Sequence, residues 1–284
     1  MSFPSGRWLL SEAKRRGIFP KKSLGQHFLL EGGIARKIAE RAVLDPDERV
    51  VEIGPGLGVL TFSLLRRAKR VIAIEVDERM VNFLRDLVEG DRLRLICADA
   101  LKFDFLSLAE EEGGSLNLVS NLPFNISTPL FLRLLEQRRA FLSLTLMFQR
   151  EVAERITSPR GKRSYGPLSV LAQLYTEPHL LFHVPPQAFY PPPQVRGSVI
   201  RFEVLERPRI DISHEGTFKE IVFASFHQRR KTILNSLRGS GLGNKGELEE
   251  VLRQCGIDPR RRAETLSLEE WGRLTEALLK GGLN

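Results

Sequence analysis

A glycine-rich turn with the sequence EIGPGLG, residues 52–58, constrains the fold of this chain more than any other feature. The apolar run before it, residues 49–53, is typical of a buried parallel strand, and the run after it, residues 57–65, predicts a helix with one apolar face. Glycines let the backbone turn sharply and let a ligand approach closely. The order strand, glycine turn, helix predicts the first unit of a nucleotide-binding α/β domain, with a turn that binds no ligand as the alternative.

The spacing of these glycines narrows the class of ligand. They stand at Gly54, Gly56 and Gly58, which gives GxGxG rather than the GxGxxG of dinucleotide-binding folds. Glu52 is unusual, because acidic side chains are rare in buried parallel strands. An acid followed by GxGxG is typical of S-adenosylmethionine methyltransferases, whose cofactor has no pyrophosphate. The pattern therefore predicts S-adenosyl-L-methionine as cofactor and argues against a nicotinamide dehydrogenase.

The charge balance favours a polyanionic partner. The chain has 284 residues with 43 Lys and Arg against 35 Asp and Glu, a formal net charge of +8. Nucleic acid is the first candidate for such a surplus, an acidic membrane surface is the second, and a generally basic surface is the plain alternative. No apolar run is long enough to span a membrane, and no secretory signal is recognisable, so we expect a cytoplasmic protein.

The cysteines and histidines predict no metal site. Cys97 and Cys255 lie far apart and lack metal or redox spacing, which suits a reducing cytoplasm. Cys97 falls in a predicted strand, where we expect it to fill the core. The five histidines form no cluster of ligands.

Two acidic residues lie at the carboxyl ends of the next predicted strands, 70–75 and 93–97. Glu75 ends the first of them, about twenty positions beyond the glycine turn, where a carboxylate can accept from both hydroxyls of a ribose. Asp99 follows the second and could accept a hydrogen bond from an adenine amine. A salt-bridged Glu75 and a helix-capping Asp99 are the structural alternatives.

The sequence NLPF, residues 121–124, follows a fourth predicted strand at 116–120. Pro123 biases Leu122 to an extended conformation, which can turn its carbonyl outward. Asn121 adds a side-chain carbonyl, and Phe124 adds a flat apolar face. Two acceptors and a ring suit a planar aromatic amine, although an ordinary turn with a buried Phe is the alternative.

A change of pattern near residue 206 predicts two domains. Residues 1–206 contain a basic N-terminal arm, the α/β units and a proline-rich loop, 185–195, that carries Phe189. Residues 207–284 predict helices only, at 217–227, 230–237, 245–255 and 267–279. Two basic runs, 227–231 and 260–262, lie in this second domain. They are either solvated helix ends or an RNA-binding surface, for which the candidates are Arg229, Arg230 and Lys231.

Taken together, these segments resemble the ribosomal RNA adenine dimethyltransferase family. The resemblance runs from residue 23 to residue 271, through SLGQHFL, VVEIGPGLGVLT, VIAIEVD, ADAL, VSNLPFNIS, PPQAFYPPPQVRGSVIRF, FHQRRKTILNSL and RAETLSLEEW. It implies a Rossmann-like α/β methyltransferase domain with a small C-terminal all-helical domain. It also implies dimethylation of two adjacent adenines near the 3′ end of small-subunit ribosomal RNA, during small-subunit biogenesis and with S-adenosylmethionine as the methyl donor.

The resemblance also assigns the site residues. The cofactor would lie on the glycines, with Glu75 at its ribose and Asp99 at its adenine. The target base would be stacked between two phenyl rings, with its amine at Asn121 and the Leu122 carbonyl. The implied cofactor residues are Gln26, His27, Leu29, Gly54, Gly56, Gly58, Glu75, Asp99 and Asn121, and the implied target-base residues are Asn121, Leu122, Phe124 and Phe189. Two residues depart from the family pattern, because His27 stands where Asn is common and Phe124 where Tyr is usual.

Two other functions remain open from the sequence. A dimethylase of large-subunit ribosomal RNA, of the antibiotic-resistance type, would share every cofactor motif. A ribosome-assembly factor that has lost catalysis would keep the fold, although the intact GxGxG and NLPF segments argue against it. On the favoured hypothesis the partner is small-subunit RNA or the immature small ribosomal subunit, the protein is a monomer, and no membrane is involved.

Overall fold

A computed structural model describes residues 4–281, so the outermost residues of both predicted domains, 1–3 and 282–284, lie outside the described part of the chain. Contacts divide the chain into two compact units. One unit takes in the chain up to Ala153 together with His179–Val204, and the other contains Glu154–Pro178 and the chain from Leu205 onward. The sequence prediction places the segment 154–178 in the first domain, whereas the structure groups it with the C-terminal helices.

The elements follow the order expected for an α/β domain succeeded by helices. The strands are β1 (Phe28–Leu29), β2 (Arg49–Ile53), β3 (Arg70–Glu75), β4 (Leu93–Cys97), β5 (Leu116–Asn121), β6 (Phe141–Gln149), β7 (Thr176–Val184), β8 (Phe189–Tyr190) and β9 (Gly197–Val204). The helices are α1 (Gly6–Arg15), α2 (Gly32–Ala42), α3 (Val59–Leu65), α4 (Glu78–Leu87), α5 (Phe105–Glu111), α6 (Ser127–Glu136), α7 (Arg150–Ile156), α8 (Pro167–Tyr175), α9 (Glu215–Phe226), α10 (Ile233–Gly239), α11 (Lys245–Gln254) and α12 (Leu268–Lys280). In the part of the chain that the structure describes, no helix is both long and apolar enough to cross a bilayer.

The main sheet has seven strands in the order β4-β3-β2-β5-β6-β9-β7. Strands β4, β3, β2, β5 and β6 pair in parallel, and β9 pairs antiparallel to β6. The chain builds outward from β2 in one direction through β3 and β4, then returns to place β5 on the other side. This reversal makes the carboxyl ends of β2 and β5 a topological switch point, where open α/β sheets bind ligands. The predicted Rossmann-like fold is confirmed.

The side chains at the centre of the main sheet are buried, whereas those of one edge strand are partly exposed to solvent. Almost every side chain of β2 and β3 is buried, and all seven residues of α3 are buried as well. Strand β4 ends the sheet, and its side chains are only half-buried. The prediction that Cys97 fills the core is therefore wrong, since this residue is the exposed last position of the edge strand.

The third glycine of the turn is required by packing. Gly58 has φ 88° and precedes α3, and a Cβ placed on it would lie 2.5 Å from Leu84 Cδ2 of α4. Any larger residue would be strained in its backbone and would push α3 away from α4. The close packing of α3 against α4 thus explains the glycine at the last position of the GxGxG pattern.

The helices of the second unit form a core of their own. Trp271 and Leu274 of α12 are completely buried, and Phe218 of α9 is buried too. Helix starts are marked by side-chain caps, including Asn244 at α11 and Ser267 at α12, each completing a capping box with a Glu three residues later. The Tyr175 hydroxyl of α8 donates to Glu215 of α9 at 3.0 Å, which ties the segment 154–178 to these helices. Local sequence patterns do not report such a distant contact.

Candidate active site

A cavity of about 250 Å³ lies at the carboxyl ends of β2, β3 and β5, beside the segment that leads into β1. Most of the residues predicted for the cofactor and the target base line it. The predicted residues found there are Gln26, His27, Leu29, Gly54, Gly56, Glu75, Asp99, Asn121, Leu122 and Phe124. Strands far apart in sequence bring these residues together because their ends meet at one edge of the sheet.

The glycine turn forms one wall of the cavity. Gly54 has φ 68° and Gly56 has φ 53°, a region that residues with a Cβ rarely occupy. A Cβ on Gly56 would lie 3.0 Å from the ring of Phe28, so the turn and β1 approach each other closely. The Gly56 amide donates to Glu75 Oε2 at 3.3 Å. The turn therefore fixes the position of the neighbouring carboxylate.

Glu75 is held from two sides. Its Oε1 accepts from the Asp77 amide at 2.9 Å and its Oε2 from the Gly56 amide, while the side chain is 6% exposed. Burial raises the pKa of Glu75, and the two amide hydrogen bonds oppose that shift. Each oxygen keeps a second lone pair, so the carboxylate can still accept from two hydroxyl groups in the cavity.

Glu52 is a second buried acid in the cavity wall. It is 1% exposed, and its Oε2 has no hydrogen-bond partner among the described residues. Burial raises the pKa of Glu52 to about 8, with a smaller contribution from the charge of Glu75. The unusual acid that the sequence places near the end of β2 is thus a buried carboxyl group whose surroundings favour its neutral form.

Asp99 lies in the turn that follows β4. Its Oδ1 accepts from the Leu101 amide at 2.9 Å, and no described residue donates to its Oδ2. The alternative of a helix-capping Asp99 is wrong, because Asp104 is the cap of the following helix, α5. Asp99 therefore presents one free acceptor at the cavity.

The orientation of the Asn121 amide is fixed by its neighbours. Its Nδ2 donates to the His27 carbonyl at 3.2 Å, and because a carbonyl can only accept, the amide must point its nitrogen that way. No residue between 4 and 281 donates to Asn121 Oδ1, which leaves this oxygen as an acceptor. The Ser120 hydroxyl donates to the Ile53 carbonyl at 2.6 Å and locks the end of β5 to the end of β2. The site thus holds one oriented carbonyl oxygen at the switch point.

Phe124 and His27 form an aromatic pair in the same cavity. Their ring centroids are 5.7 Å apart and their planes are inclined by 35°. His27 Nδ1 lies 2.7 Å from the Pro191 carbonyl, so Nδ1 carries the hydrogen. Leu122 is buried beside them, with 1% exposure.

Comparison with known proteins identifies the family. The model of the family described as "Ribosomal RNA adenine dimethylase" matches residues 19–280. The chain belongs to the ribosomal RNA adenine dimethylase family. A relative from Pelotomaculum thermopropionicum, named ribosomal RNA small subunit methyltransferase A, is 45% identical over 279 residues, which cover 95% of each chain. The family predicted from the sequence motifs is confirmed.

Solved structures of related enzymes agree with this assignment. A dimethyladenosine transferase from Plasmodium falciparum is 27% identical and matches with a TM-score of 0.73, covering 90% of this chain and 98% of that one. The 23S rRNA methyltransferase ErmE is 26% identical and matches with a TM-score of 0.65, covering 88% of this chain and 99% of that one. The protein is therefore an RNA methyltransferase of the adenine dimethylase family by fold and by sequence.

Phe189 is one predicted site residue that the structure does not bring to the cavity. It is 3% exposed, pairs through β8 with Leu29 of β1, and lies in the apolar core of the first unit. Gly58 is another, since it serves the packing of α3 against α4. Phe124 thus lines the cavity, and Phe189 does not.

Gln26 lines the cavity, yet both ends of its amide are engaged within the protein. Its Oε1 accepts from the Lys21 amide at 2.9 Å, and its Nε2 donates to Asp77 Oδ2 at 3.2 Å. Asp77 is a buried residue that sequence reasoning missed, although its place two positions after Glu75 was a usable signal. Phe28 and Glu52 also line the cavity without having been predicted as site residues.

The basic candidates of the second unit remain exposed and differ in how far they are paired. Arg229, Arg230 and Lys231 are all exposed, and Arg229 Nη1 donates to the Arg163 carbonyl at 3.0 Å. In the other basic run, Arg260 pairs with Asp258 at 3.1 Å and Arg261 with Glu270 at 2.5 Å. The run 227–231 therefore offers more uncompensated positive charge than the run 260–262.

Proposed function

We propose that this protein transfers methyl groups from S-adenosylmethionine to the exocyclic amines of two adjacent adenines near the 3′ end of small-subunit ribosomal RNA. Family membership and the name of the 45%-identical relative support the small-subunit substrate. The observation that carries the proposal is the oriented Asn121 amide in one cavity with Glu75, Asp99 and Phe124. We propose that its substrate is the immature small ribosomal subunit in the cytoplasm. We also propose that the protein acts as a monomer.

The cavity fits the proposed cofactor chemically. In the described part of the chain, no Lys or Arg lines it, which is unsuited to a pyrophosphate and suited to a cation. Glu75 offers acceptors for ribose hydroxyls, and Asp99 Oδ2 offers one for an adenine amine. Glu52 Oε2, which has no hydrogen-bond partner in the part of the chain that the structure describes, provides a further polar atom beside the glycine turn. S-adenosylmethionine, when bound, supplies a methyl group on a positively charged sulfur.

Asn121 has the principal role in the proposed chemistry. The exocyclic amine of adenine is a weak nucleophile, because its lone pair is delocalised into the ring. Asn121 Oδ1 and the Leu122 carbonyl would each accept one amine hydrogen, which holds the nitrogen with its lone pair toward the methyl carbon. S-adenosylmethionine held by Glu75 and Asp99 would supply the methyl group and leave as a neutral thioether, and the methylated amine held by Asn121 and the Leu122 carbonyl would release one proton to solvent. No strong base is needed, and positioning can supply up to about 7–11 kcal/mol of the barrier reduction.

The target base must leave its stack before it can reach Asn121. Extruding a base costs a few kcal/mol, and stacking on an aromatic ring returns about 1–3 kcal/mol. Phe124 is the proposed stacking face, since its ring lines the cavity beside Asn121. The exposed cations Arg229, Arg230 and Lys231 would bind RNA phosphates, which makes affinity strongly dependent on salt.

Each alternative function has its own discriminating feature. A large-subunit substrate is suggested by the likeness to ErmE, but that likeness rests on 26% identity against 45% for the small-subunit relative. A non-catalytic assembly factor would not need the fixed Asn121 amide or the free acceptor of Asp99. The observations favour a small-subunit methyltransferase over both.

The test is methylation of separated ribosomal RNAs. Unmethylated small-subunit particles and large-subunit RNA are each incubated with the protein and isotope-labelled cofactor, and the digested RNA is analysed by mass spectrometry. We expect dimethyladenine at two adjacent positions near the 3′ end of the small-subunit RNA alone. Label in the large-subunit RNA would instead support the alternative function, dimethylation of large-subunit ribosomal RNA. Cofactor binding without label in either RNA would favour the assembly factor.

A further inference from the structure

Asp77 is a buried carboxylate with more partners than any helix cap requires. It precedes α4 and is 4% exposed. Its Oδ1 accepts from the Arg79 amide at 3.3 Å and from Arg79 Nε at 2.9 Å, and its Oδ2 accepts from Arg79 Nη2 at 2.6 Å. These hydrogen bonds from Arg79 hold the pKa of Asp77 at about 2, so the group is an anion throughout the physiological range.

The same carboxylate holds the segment that leads into β1. Gln26 Nε2 donates to Asp77 Oδ2 at 3.2 Å, and Lys21 Nζ lies 3.5 Å from Oδ1. Gln26 Oε1 in turn accepts from the Lys21 amide, which closes the segment 21–26 into a compact turn. His27 and Leu29, which line the cavity, follow directly after this turn.

The backbone of Asp77 holds the other side of the cavity. Its amide donates to Glu75 Oε1 at 2.9 Å, and Glu75 is the carboxylate assigned to the ribose. Asp77 therefore holds two parts of the cavity wall. Its side chain contacts the segment that leads into β1, and its amide contacts Glu75 at the end of β3. Neither contact is needed for the capping of α4, which uses only the bond to the Arg79 amide.

We propose that Asp77 is a positioning residue that sets cofactor affinity by holding the segment Lys21–Leu29 against Glu75. This inference rests on the proposed use of S-adenosylmethionine. Asp77 is not one of the residues that line the cavity. It acts by keeping Gln26, and hence His27 and Leu29, in the place where they close the cavity.

The decisive variant is Asp77→Asn. Asn is as good a helix cap as Asp, so α4 keeps its start. The amide has one acceptor in place of two and no charge, so it cannot hold Gln26 and Arg79 together. We expect the dissociation constant for S-adenosylmethionine, measured by calorimetry, to rise about 10-fold, the size of one lost charge-assisted hydrogen bond. In the ligand-free protein, trypsin should cut after Lys21 and Lys22 several times faster.

Two controls separate bracing from general destabilisation. Glu78→Gln, on an exposed residue of the same helix, should leave both measurements unchanged. The double variant Gln26→Glu with Asp77→Asn restores a carboxylate–amide hydrogen bond with its polarity reversed, and should recover part of the affinity. Wild-type affinity and wild-type cleavage rate in Asp77→Asn would overturn the inference. Failure of the wild-type protein to bind the cofactor would instead reject the proposed function, while the trypsin measurement would still decide whether Asp77 holds the segment.

Discussion

The cavity at the switch point and the basic run 227–231 use polar groups in opposite ways. In the cavity, Glu52 and Glu75 are buried and Asp99 is half-buried, and single backbone amides donate to both oxygens of Glu75 and to one oxygen of Asp99. In the basic run, the cations are exposed to water, and Arg229 Nη1 donates to the backbone carbonyl of Arg163. Hydrogen bonds within the protein therefore fix polar groups of the cavity, whereas most charged groups of the basic run are solvated.

The difference shows what each region can recognise. A buried acceptor in a fixed orientation discriminates, because an unsuitable partner leaves it unsatisfied at a cost of about 1–3 kcal/mol. Exposed cations discriminate little between sequences, but each adds to the attraction for phosphate and is weakened by salt. Single substitutions should therefore have sharp effects in the cavity and graded effects in the basic run.

Asn121→Ala should produce the largest effect. Loss of the oriented oxygen removes the acceptor for the target amine, and losing one such group costs about 10²–10³ in turnover. Cofactor affinity should change little, since the substitution leaves Glu75 and Asp99 in place. Single-turnover methylation and calorimetry measure the two quantities. Asn82→Ala, on an exposed Asn of α4 that does not line the cavity, is the control, and full turnover by Asn121→Ala would remove the role given to Asn121.

Phe124→Ala and Phe189→Ala should separate stacking from packing. Phe124 lines the cavity, so its loss should weaken binding of the target RNA segment by about 1–3 kcal/mol, or about 5- to 150-fold, with little change in melting temperature. Phe189 is buried in the core, so its loss should cost about 3–5 kcal/mol of unfolding free energy.

Denaturant unfolding and RNA titration distinguish these outcomes. A stable Phe189→Ala protein with a specific loss of RNA affinity would show that Phe189 reaches the base after all. That result would require β8 to leave β1 when RNA binds.

Neutralising the basic run should change the salt dependence and spare the cofactor. In Arg229→Gln/Arg230→Gln/Lys231→Gln, the slope of log affinity for RNA against log salt should become less negative by about 2–3, the sum of three lost phosphate contacts. Cofactor affinity should stay unchanged. Arg260→Gln, whose side chain already pairs with Asp258, should alter the slope less. An unaltered slope in the triple variant would assign RNA binding to other residues.

Glu52→Gln tests the buried carboxyl group of the cavity, and its effect should appear as a change in the pH dependence of stability. The folded protein keeps the Glu52 proton up to about pH 8, whereas the unfolded chain loses it near 4.5. Stability therefore falls as pH rises between these values, at about 1.4 kcal/mol per pH unit for one group, and levels off above pH 8.

The variant should flatten this part of the profile, leaving the slope that Glu75, whose pKa is shifted in the same direction, contributes. Unfolding by urea at pH 5, 6, 7 and 8 measures the change, with the exposed Glu110→Gln as control. Parallel profiles for wild type and Glu52→Gln would show that Glu52 is charged in the folded state.

Much of the α/β framework could be predicted from local patterns. Strands 49–53, 70–75 and 93–97 are confirmed residue by residue, because buried parallel strands are continuous apolar runs bounded by turn residues. The C-terminal helices are confirmed within a few residues. Helix α5 and strand β1 have no counterpart among the elements predicted from the sequence. A two-residue strand has no periodicity of its own and exists only because β8 pairs with it.

Residue types at fixed spacings along the chain were enough to predict the family, most of the helices and strands, and ten of the residues that line the cavity. Only the tertiary structure decided which of them face the cavity and what holds them there. Phe189 lies in the apolar core, and Cys97 lies at the exposed edge of the sheet. Asp77 contacts both the segment before β1 and the end of β3. The physical reason is that burial and hydrogen bonding depend on which distant segments meet, and one segment's sequence does not contain its partners.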